Sequence, residues 1–312
     1  MKAVQINNYG GVEVLEINGN VQTPNSSSDR ILIEVYAAGI NPIDWKVRAG
    51  YLRDLVPLTF PATLGGDFSG VVVWSGGDAV DFKVGDNVYG QGGLLNGGSG
   101  AFAESLAAET SKIAKMPKNL DFLSAASLPL AGVSAVQALE DHIKLGKDQK
   151  ILIHGGAGGI GHIAVQLAKS KGANVATTVS SRDMDFAKSL GADEVIDYKR
   201  EVFENLLKGF DSVFDTVGGE ITNRSFQVLK AGGIIVSMAQ KPDGELAKKY
   251  KVRAIGQQTE GTPQRLNRLA ELVDNGLIKV HIDKVFALDQ VKEAFAHLEK
   301  GHARGKVVLK IK

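Results

Sequence analysis

Apolar and polar positions change their period along this chain. Up to residue 123 the apolar runs are short and broken by turns. Residues 31–37 (ILIEVYA) read as a strand, residues 70–74 (GVVVW) as a second, and residues 87–89 as a third after the turn Val84-Gly85-Asp86. Strands at this spacing, with many glycine breaks, predict an antiparallel or barrel-like β domain with one or two helical turns at 43–49. Residues 91–100 carry five glycines and predict a mobile loop.

From 124 to 258 the pattern becomes an alternation. A helix is predicted over 124–139 with Ser124 as its N-cap. Strands follow at 150–154, 174–180, 194–198, 211–217 and 233–238. Helices fall between them at 159–171, 183–190, 202–207 and 220–229. Alternating elements of these lengths build a parallel sheet covered by helices on both faces. From 259 to 312 the chain holds an amphipathic helix at 264–275, with Leu266, Leu269, Leu272 and Val273 on one stripe, a second helix at 288–300 and a closing strand at 307–311. The expected domains are therefore 1–123, 124–258 and 259–312, the last completing the first.

Composition narrows the function classes. A chain of 312 residues makes about two domains at ~150 residues each. Lys and Arg number 36 and Asp and Glu 35, a net charge of +1 that argues against a nucleic-acid or anionic-membrane surface. The basic run Lys248-Lys249-Tyr250-Lys251 is short and reads as a solvated face. Cysteine is absent, which removes disulfides, thiol nucleophiles and Cys-bound metals. The first residues lack the apolar core of a signal peptide, and no run approaches the ~18 apolar residues of a membrane span. The expectation is a soluble cytoplasmic protein.

The sharpest motif is Ile151-Leu152-Ile153-His154-Gly155-Gly156-Ala157-Gly158-Gly159-Ile160-Gly161. A predicted strand runs into Gly156-x-Gly158-x-x-Gly161, and a helix follows with Ile160, Ile163, Ala164 and Leu167 on one stripe. This context marks a dinucleotide cradle. A side chain at Gly156 would block the turn, one at Gly158 would hold the backbone off a pyrophosphate, and one at Gly161 would part helix from strand. The helix N-terminus then offers N–H groups and partial positive charge. An NAD site places an acid about 20 residues on, at the tip of the second strand. Here the tip reads Ser180-Ser181-Arg182, which suits the 2′-phosphate of NADPH, although the same residues would also cap the next helix.

With this unit placed, further stretches fall into line. They are Ala38-Gly39-Ile40-Asn41-Pro42-Ile43-Asp44, Gly65-Gly66-Asp67-Phe68-Ser69-Gly70, Val84-Gly85-Asp86-Asn87-Val88-Tyr89-Gly90, Ala126-Ser127-Leu128-Pro129-Leu130-Ala131-Gly132-Val133-Ser134, Leu190-Gly191-Ala192-Asp193, Asp215-Thr216-Val217-Gly218-Gly219 and Gly305-Lys306-Val307-Val308-Leu309. In this order they resemble a zinc-independent medium-chain dehydrogenase/reductase of the quinone-oxidoreductase, zeta-crystallin-like type. The resemblance implies a bilobal α/β fold, a GroES-like β-barrel domain with a Rossmann doubly wound parallel sheet inserted, and the cofactor in the cleft. It also implies a homodimer.

Site residues follow from the resemblance. The backbone of Gly158, Gly159 and Ile160 holds the pyrophosphate. Ser134 meets the cofactor near the nicotinamide, or packs its helix. Ser180, Ser181 and Arg182 meet the 2′-phosphate, and Tyr198 lies at the adenosine end or is a plain strand-end aromatic. Val217, Ser237 and Met238 face the cofactor from strand ends, and Lys306 lies near the same cleft. Asn41 points at the nicotinamide side. Tyr51 is a candidate donor to the product oxygen, with Lys46 and Arg48 on the same short helix. Zinc-dependent relatives use a Cys/His/Glu site. Here Asn41 and Gly66-Asp67 stand at those places, and all six histidines lie at 142 or later, so no metal is expected. His154 is expected to be a packed strand-end residue.

The implied reaction is hydride transfer from NADPH to a quinone or to the β-carbon of an α,β-unsaturated carbonyl. Two alternatives remain open at this point. One is an enoyl-thioester reductase. The other is a non-catalytic NADPH-binding protein of the crystallin kind.

Overall fold

The computed structural model describes residues 1–25, 30–77, 81–301 and 303–312. The chain divides into two units, Met1–Leu130 with Gly261–Asp274 and Val280–Lys312, and Ala131–Glu260 with Asn275–Lys279.

The first unit is mostly strand. It carries β1 (Ala3–Ile6), β2 (Glu16–Asn18), β3 (Arg30–Ile40), α1 (Pro42–Arg48), β4 (Ala62–Thr63), β5 (Asp67–Ser75), β6 (Asn87–Gln91), β7 (Ser105–Glu109), β8 (Ile113–Lys115) and α2 (Phe122–Ala126). The tail adds α9 (Pro263–Asp274), β15 (Ile282–Ala287), α10 (Val291–Glu299) and β16 (Lys306–Lys310). A three-stranded sheet runs β2-β1-β4. A seven-stranded sheet runs β15-β16-β3-β5-β6-β8, with β7 on β3. Its pairings are antiparallel except β15 with β16. Alternation in β3 explains its central place: Ile31, Ile33 and Val35 point into a core with Val4, Phe68, Val72, Phe102 and Phe295. The glycine-rich 91–100 stretch starts in β6 and folds back on its surroundings, with Gly92 N–H on Gly66 O at 2.8 Å and Gly100 N–H on Gly92 O at 3.0 Å.

The boundary with the second unit falls at Leu130, later than the expected 123, because α2 packs on the β unit. Ala126 lies against Ala37 and Val308, the Phe122 ring stacks on Tyr36 at 4.2 Å, and Ser69 Oγ donates to Phe122 O at 2.6 Å. The expected single helix over 124–139 is broken. Asp121, not Ser124, is the N-cap, accepting from Ser124 N–H at 2.8 Å. Pro129 then starts α3 (Pro129–Val136), since proline cannot continue a helix from within. Residues Gln137–His142 widen into a π turn.

The second unit continues with β9 (Lys150–His154), α4 (Gly161–Ser170), β10 (Asn174–Val179), α5 (Met184–Ser189), β11 (Glu194–Asp197), α6 (Phe203–Leu206), β12 (Phe210–Asp215), α7 (Glu220–Ser225), β13 (Leu229–Ser237), α8 (Gly244–Tyr250) and β14 (Arg253–Gly256). Its strands form one parallel sheet in the order β11-β10-β9-β12-β13-β14. Counted from β9 this is 3-2-1-4-5-6, the doubly wound dinucleotide-binding order, with its switch point beside β9. The basic run 248–251 ends α8, which packs Leu246, Ala247 and Tyr250 onto the core and turns its lysines outward.

Candidate functional site

The phosphate cradle is built at the end of β9. The strand is buried from Ile151 to His154, and the chain turns at Gly155, whose φ of +73° favours glycine. The tight turn thus falls one residue ahead of the place the motif predicts. A Cβ on Gly156 would lie 2.0 Å from Thr177 Oγ1, which donates to Ile153 O at 2.6 Å. Gly156 is therefore demanded by the neighbouring strand. A Cβ on Gly161 would lie 2.1 Å from Gly155 O, so this glycine lets α4 approach the strand end, as expected. One on Gly158 would meet only Gly155 O, at 3.3 Å, and would otherwise enter open space.

The donors differ from expectation in one respect. The Gly158 N–H is spent inside the turn, on Gly155 O at 2.9 Å. The first helical bond runs from His162 N–H to Gly158 O at 3.1 Å. The amides of Gly159, Ile160 and Gly161 therefore precede the bonded helix and head its dipole.

At the tip of β10 the structure gathers Ser180, Ser181, Arg182 and Tyr198, together with two carboxylates. Asp183 accepts from Ser180 Oγ at 2.7 Å and from Arg182 Nε at 3.2 Å. Asp197, at the end of β11, accepts from Ser181 Oγ and from Lys199 N–H at 3.0 Å, and Arg200 lies at 3.6 Å. The Ser181 hydrogen bond holds the Asp197 carboxyl below the usual carboxylate range. Tyr198 is exposed and its N–H donates to Val179 O at 3.1 Å. Asp197, Lys199 and Arg200 escaped the sequence reading. The signal lies in the run Ile196-Asp197-Tyr198 at the end of the third strand of the alternation.

Elsewhere in this unit, Ser134 is buried with its Oγ 2.7 Å from Thr259 Oγ1. Val217 is exposed and Met238 half-buried at strand ends. Ser237 is buried and donates to Asp215 at 3.3 Å. Asp215 also accepts from Thr222 Oγ1 at 2.5 Å and from the N–H groups of Val217 and Gly218. His154 is enclosed, with Nδ1 2.9 Å from Thr178 Oγ1 and Nε2 2.9 Å from Ser225 Oγ. Burial pushes its pKa down to about 4, so the ring is neutral and structural.

The first unit holds a second polar centre where β3 runs into α1. Asn41 is buried and its Nδ2 donates to Asp67 Oδ2 at 2.9 Å. Its backbone N–H donates to Asp44 Oδ2 at 2.7 Å. The buried Lys306 ammonium donates to Asn41 Oδ1 and to Ile40 O at 3.3 Å, and lies 4.0 Å from Asp67 Oδ2. The Leu130 N–H is shared between both Asp67 oxygens, at 3.1 and 3.0 Å. Burial raises the carboxyls, Asp44 to about 7, and lowers Lys306. Two acids facing one ammonium in a dry interior retain a proton between them. The catalytic candidates Asn41 and Tyr51 are thus differently placed: Asn41 is locked in this centre, whereas Tyr51 is 72% exposed, its ring edge-on to Trp45 at 5.7 Å.

This donor set does not fit zinc. It offers an amide, two carboxylates and no imidazole or thiolate, and its cation is the chain's own ammonium. Among the described residues no group of three His, Cys, Asp or Glu is placed to hold a metal. The dinucleotide fits the second unit on the cradle's own evidence, two positions where a Cβ would strike backbone or strand and one opening to space.

Comparison with known proteins identifies the family. A family model described as "Alcohol dehydrogenase GroES-like domain" matches residues 27–118, and one described as "Zinc-binding dehydrogenase" matches 190–309. The chain is 39% identical to a tomato (Solanum lycopersicum) protein named 2-methylene-furan-3-one reductase, over 99% of this chain and 79% of the relative. It is 36% identical, with the same coverage, to the Arabidopsis thaliana NADPH-dependent alkenal/one oxidoreductase, chloroplastic. Among solved structures, the quinone oxidoreductase of Coxiella burnetii superposes with a TM-score of 0.93 at 38% identity, covering 100% of this chain and 99% of that one. A strand order built for dinucleotides, a side-chain-free cradle and relatives matched along almost the whole chain lead to one assignment: the chain belongs to the medium-chain dehydrogenase/reductase family, in its quinone-oxidoreductase type.

Proposed function

We propose that this protein is an NADPH-dependent oxidoreductase that reduces a quinone or an α,β-unsaturated carbonyl without zinc. The observation that carries the reading is the cradle at the head of α4 in a 3-2-1-4-5-6 sheet. When bound, NADPH supplies a hydride from C4 of its dihydronicotinamide ring. The chain's own residues do the rest. The Gly159, Ile160 and Gly161 amides and the dipole of α4 hold the pyrophosphate, and Gly158 leaves room for it. Arg182, with Ser180, Ser181 and the cations of Lys199 and Arg200, receives the 2′-phosphate. Tyr198 covers the adenosine end, and Ser134, Val217, Ser237 and Met238 line the cofactor.

Asn41 serves the reacting end, its amide fixed by charged partners on both sides. Tyr51, exposed on the turn after α1, offers a phenol to the oxygen that gains negative charge. Relatives named for alkenal/one, furanone and quinone substrates support both acceptor classes.

The test is NADPH oxidation, followed at 340 nm, against a quinone, a short enone and an enoyl thioester. Turnover with either of the first two is expected. Turnover with the thioester alone would move the protein to the enoyl-reductase class, and binding without turnover on all three would make it a nucleotide-binding protein.

A homodimer and a cytoplasmic location belong to the same proposal. Among the described residues no helix is long and apolar enough to cross a membrane, while several relatives are named chloroplastic or mitochondrial. Light scattering and cell fractionation measure both points.

A further inference from the structure

Asn41 is held at both ends by charge. Its Oδ1 accepts from the Lys306 ammonium and its Nδ2 donates to the Asp67 carboxylate. An unaided carboxamide turns over at little cost, because its oxygen and nitrogen are nearly the same size. Here a flip would set oxygen against carboxylate and NH₂ against ammonium, reversing both contacts. The backbone is fixed by the same groups: Lys306 donates to Ile40 O, and Asp44 accepts from the Asn41 N–H.

The sheet delivers the lysine. In the antiparallel register of β16 with β3, Val307 pairs with Ile40, which brings Lys306 to the end where β3 gives way to Asn41, 265 residues away in sequence. The ammonium is nine-tenths buried or more and its partners are oxygens, an arrangement that is costly unless each contact is made.

We infer that Lys306 is a positioning residue for the reaction: an internal cation that fixes the orientation of the Asn41 amide, in a centre whose donors do not suit a metal. This rests on the reading of Asn41 given above.

The experiment compares Lys306→Met, Lys306→Gln and the double variant Lys306→Met/Asp67→Asn in the full-length enzyme. Three quantities are read for each: melting temperature, NADPH Kd from nucleotide fluorescence, and kcat with the best acceptor. Lys306→Met strands a buried carboxylate and is expected to lower both stability and kcat. The double variant removes that carboxylate and is expected to recover melting temperature. Its kcat should stay down by about 10²-fold, the scale of an ångström-sized misplacement, with NADPH Kd within about twofold of wild type. Lys306→Gln can still donate to Asn41 Oδ1 and should regain part of the kcat lost in Lys306→Met.

Recovery of kcat together with stability in the double variant would overturn the inference and leave Lys306 a charge balance. Equal kcat in the Gln and Met variants would overturn it too. A tenfold weaker NADPH Kd with unchanged kcat would instead place Lys306 on the cofactor. If the wild type turns over no acceptor while binding NADPH, the oxidoreductase reading fails first and takes this inference with it.

Discussion

The three motif glycines should separate into a folding role and a binding role when each is given one methyl group. In Gly161→Ala the new Cβ sits 2.1 Å from Gly155 O, 2.7 Å from its carbonyl carbon and 2.8 Å from Gly156 Cα, all backbone. Reaching even 3.0 Å from the oxygen means opening the contact by about 0.9 Å. Overpacking of this kind costs about 1–3 kcal/mol, against ~1 kcal/mol gained from replacing a helical glycine by alanine. The net loss, up to about 2 kcal/mol, lowers the melting temperature by up to about 8 °C. In Gly158→Ala the Cβ meets one atom, at 3.3 Å, so the apo melting temperature should shift by less than about 1 °C. Yet a side chain at this motif position holds the backbone off a bound pyrophosphate. NADPH Kd should rise at least tenfold, about 1.4 kcal/mol. Differential scanning fluorimetry of the apo protein and a fluorescence titration with NADPH measure the two effects. A Gly158→Ala protein that melts as low as Gly161→Ala, or that binds NADPH as tightly as wild type, would refute this division of roles.

Three further outcomes are expected. Arg182→Glu should raise the Michaelis constant for NADPH far more than that for NADH; equal effects would remove the 2′-phosphate assignment. His154 stays neutral when folded, with a pKa near 4 against 6.5, so the unfolded chain binds the extra proton and stability falls as pH drops from 6.5 towards 4, by about 3 kcal/mol. Melting curves across that range should be flatter for His154→Gln than for wild type. Asp44 has the opposite sign: its folded pKa is raised from 3.8 to about 7, so stability falls as pH rises through that window, by about 4 kcal/mol. Asp44→Asn should therefore melt higher than wild type at pH 8 and no higher at pH 5.

The two units were unequally legible. In the second, strands are apolar runs, helices keep the 3.6 period, and Gly156 and Gly161 admit few other backbones, so motif and topology agree with the structure. Even there, α8 and β14 escaped: α8 is polar on most of its turns and β14 is four residues on an exposed edge. In the first unit β1, β2, β4 and β8 have two to four residues, too short for a period to show. The pairing of Lys306 with Asn41 leaves no local trace at all. It arises from the register of β16 on β3, a tertiary fact. Gly158 shows a subtler limit. The motif marks where a side chain is forbidden, but which amide remains available depends on turn geometry, and the Gly158 N–H is spent on Gly155.

Two buried acids at the tip of β10 look at first like an argument for NADH, since a carboxylate facing a 2′-phosphate meets like charge at a cost of several kcal/mol. Their placement answers it. The Asp183 and Asp197 side chains are 8% and 4% exposed, whereas those of Arg182 and Arg200, which they hold, are 53% and 79% exposed. Each carboxylate is turned inward and occupied by a hydroxyl as well as a guanidinium. Three cations, Arg182, Lys199 and Arg200, therefore face outward over two satisfied anions, with the exposed Glu201 carboxylate beside them on the Asp197 N–H. The acids orient the cations. In an NADH site the carboxylate would have to be the exposed partner, because its task is to accept from the ribose hydroxyl. Here the exposed partner is the guanidinium, and that inversion, more than the lack of an acid at the strand tip, is what favours a phosphate.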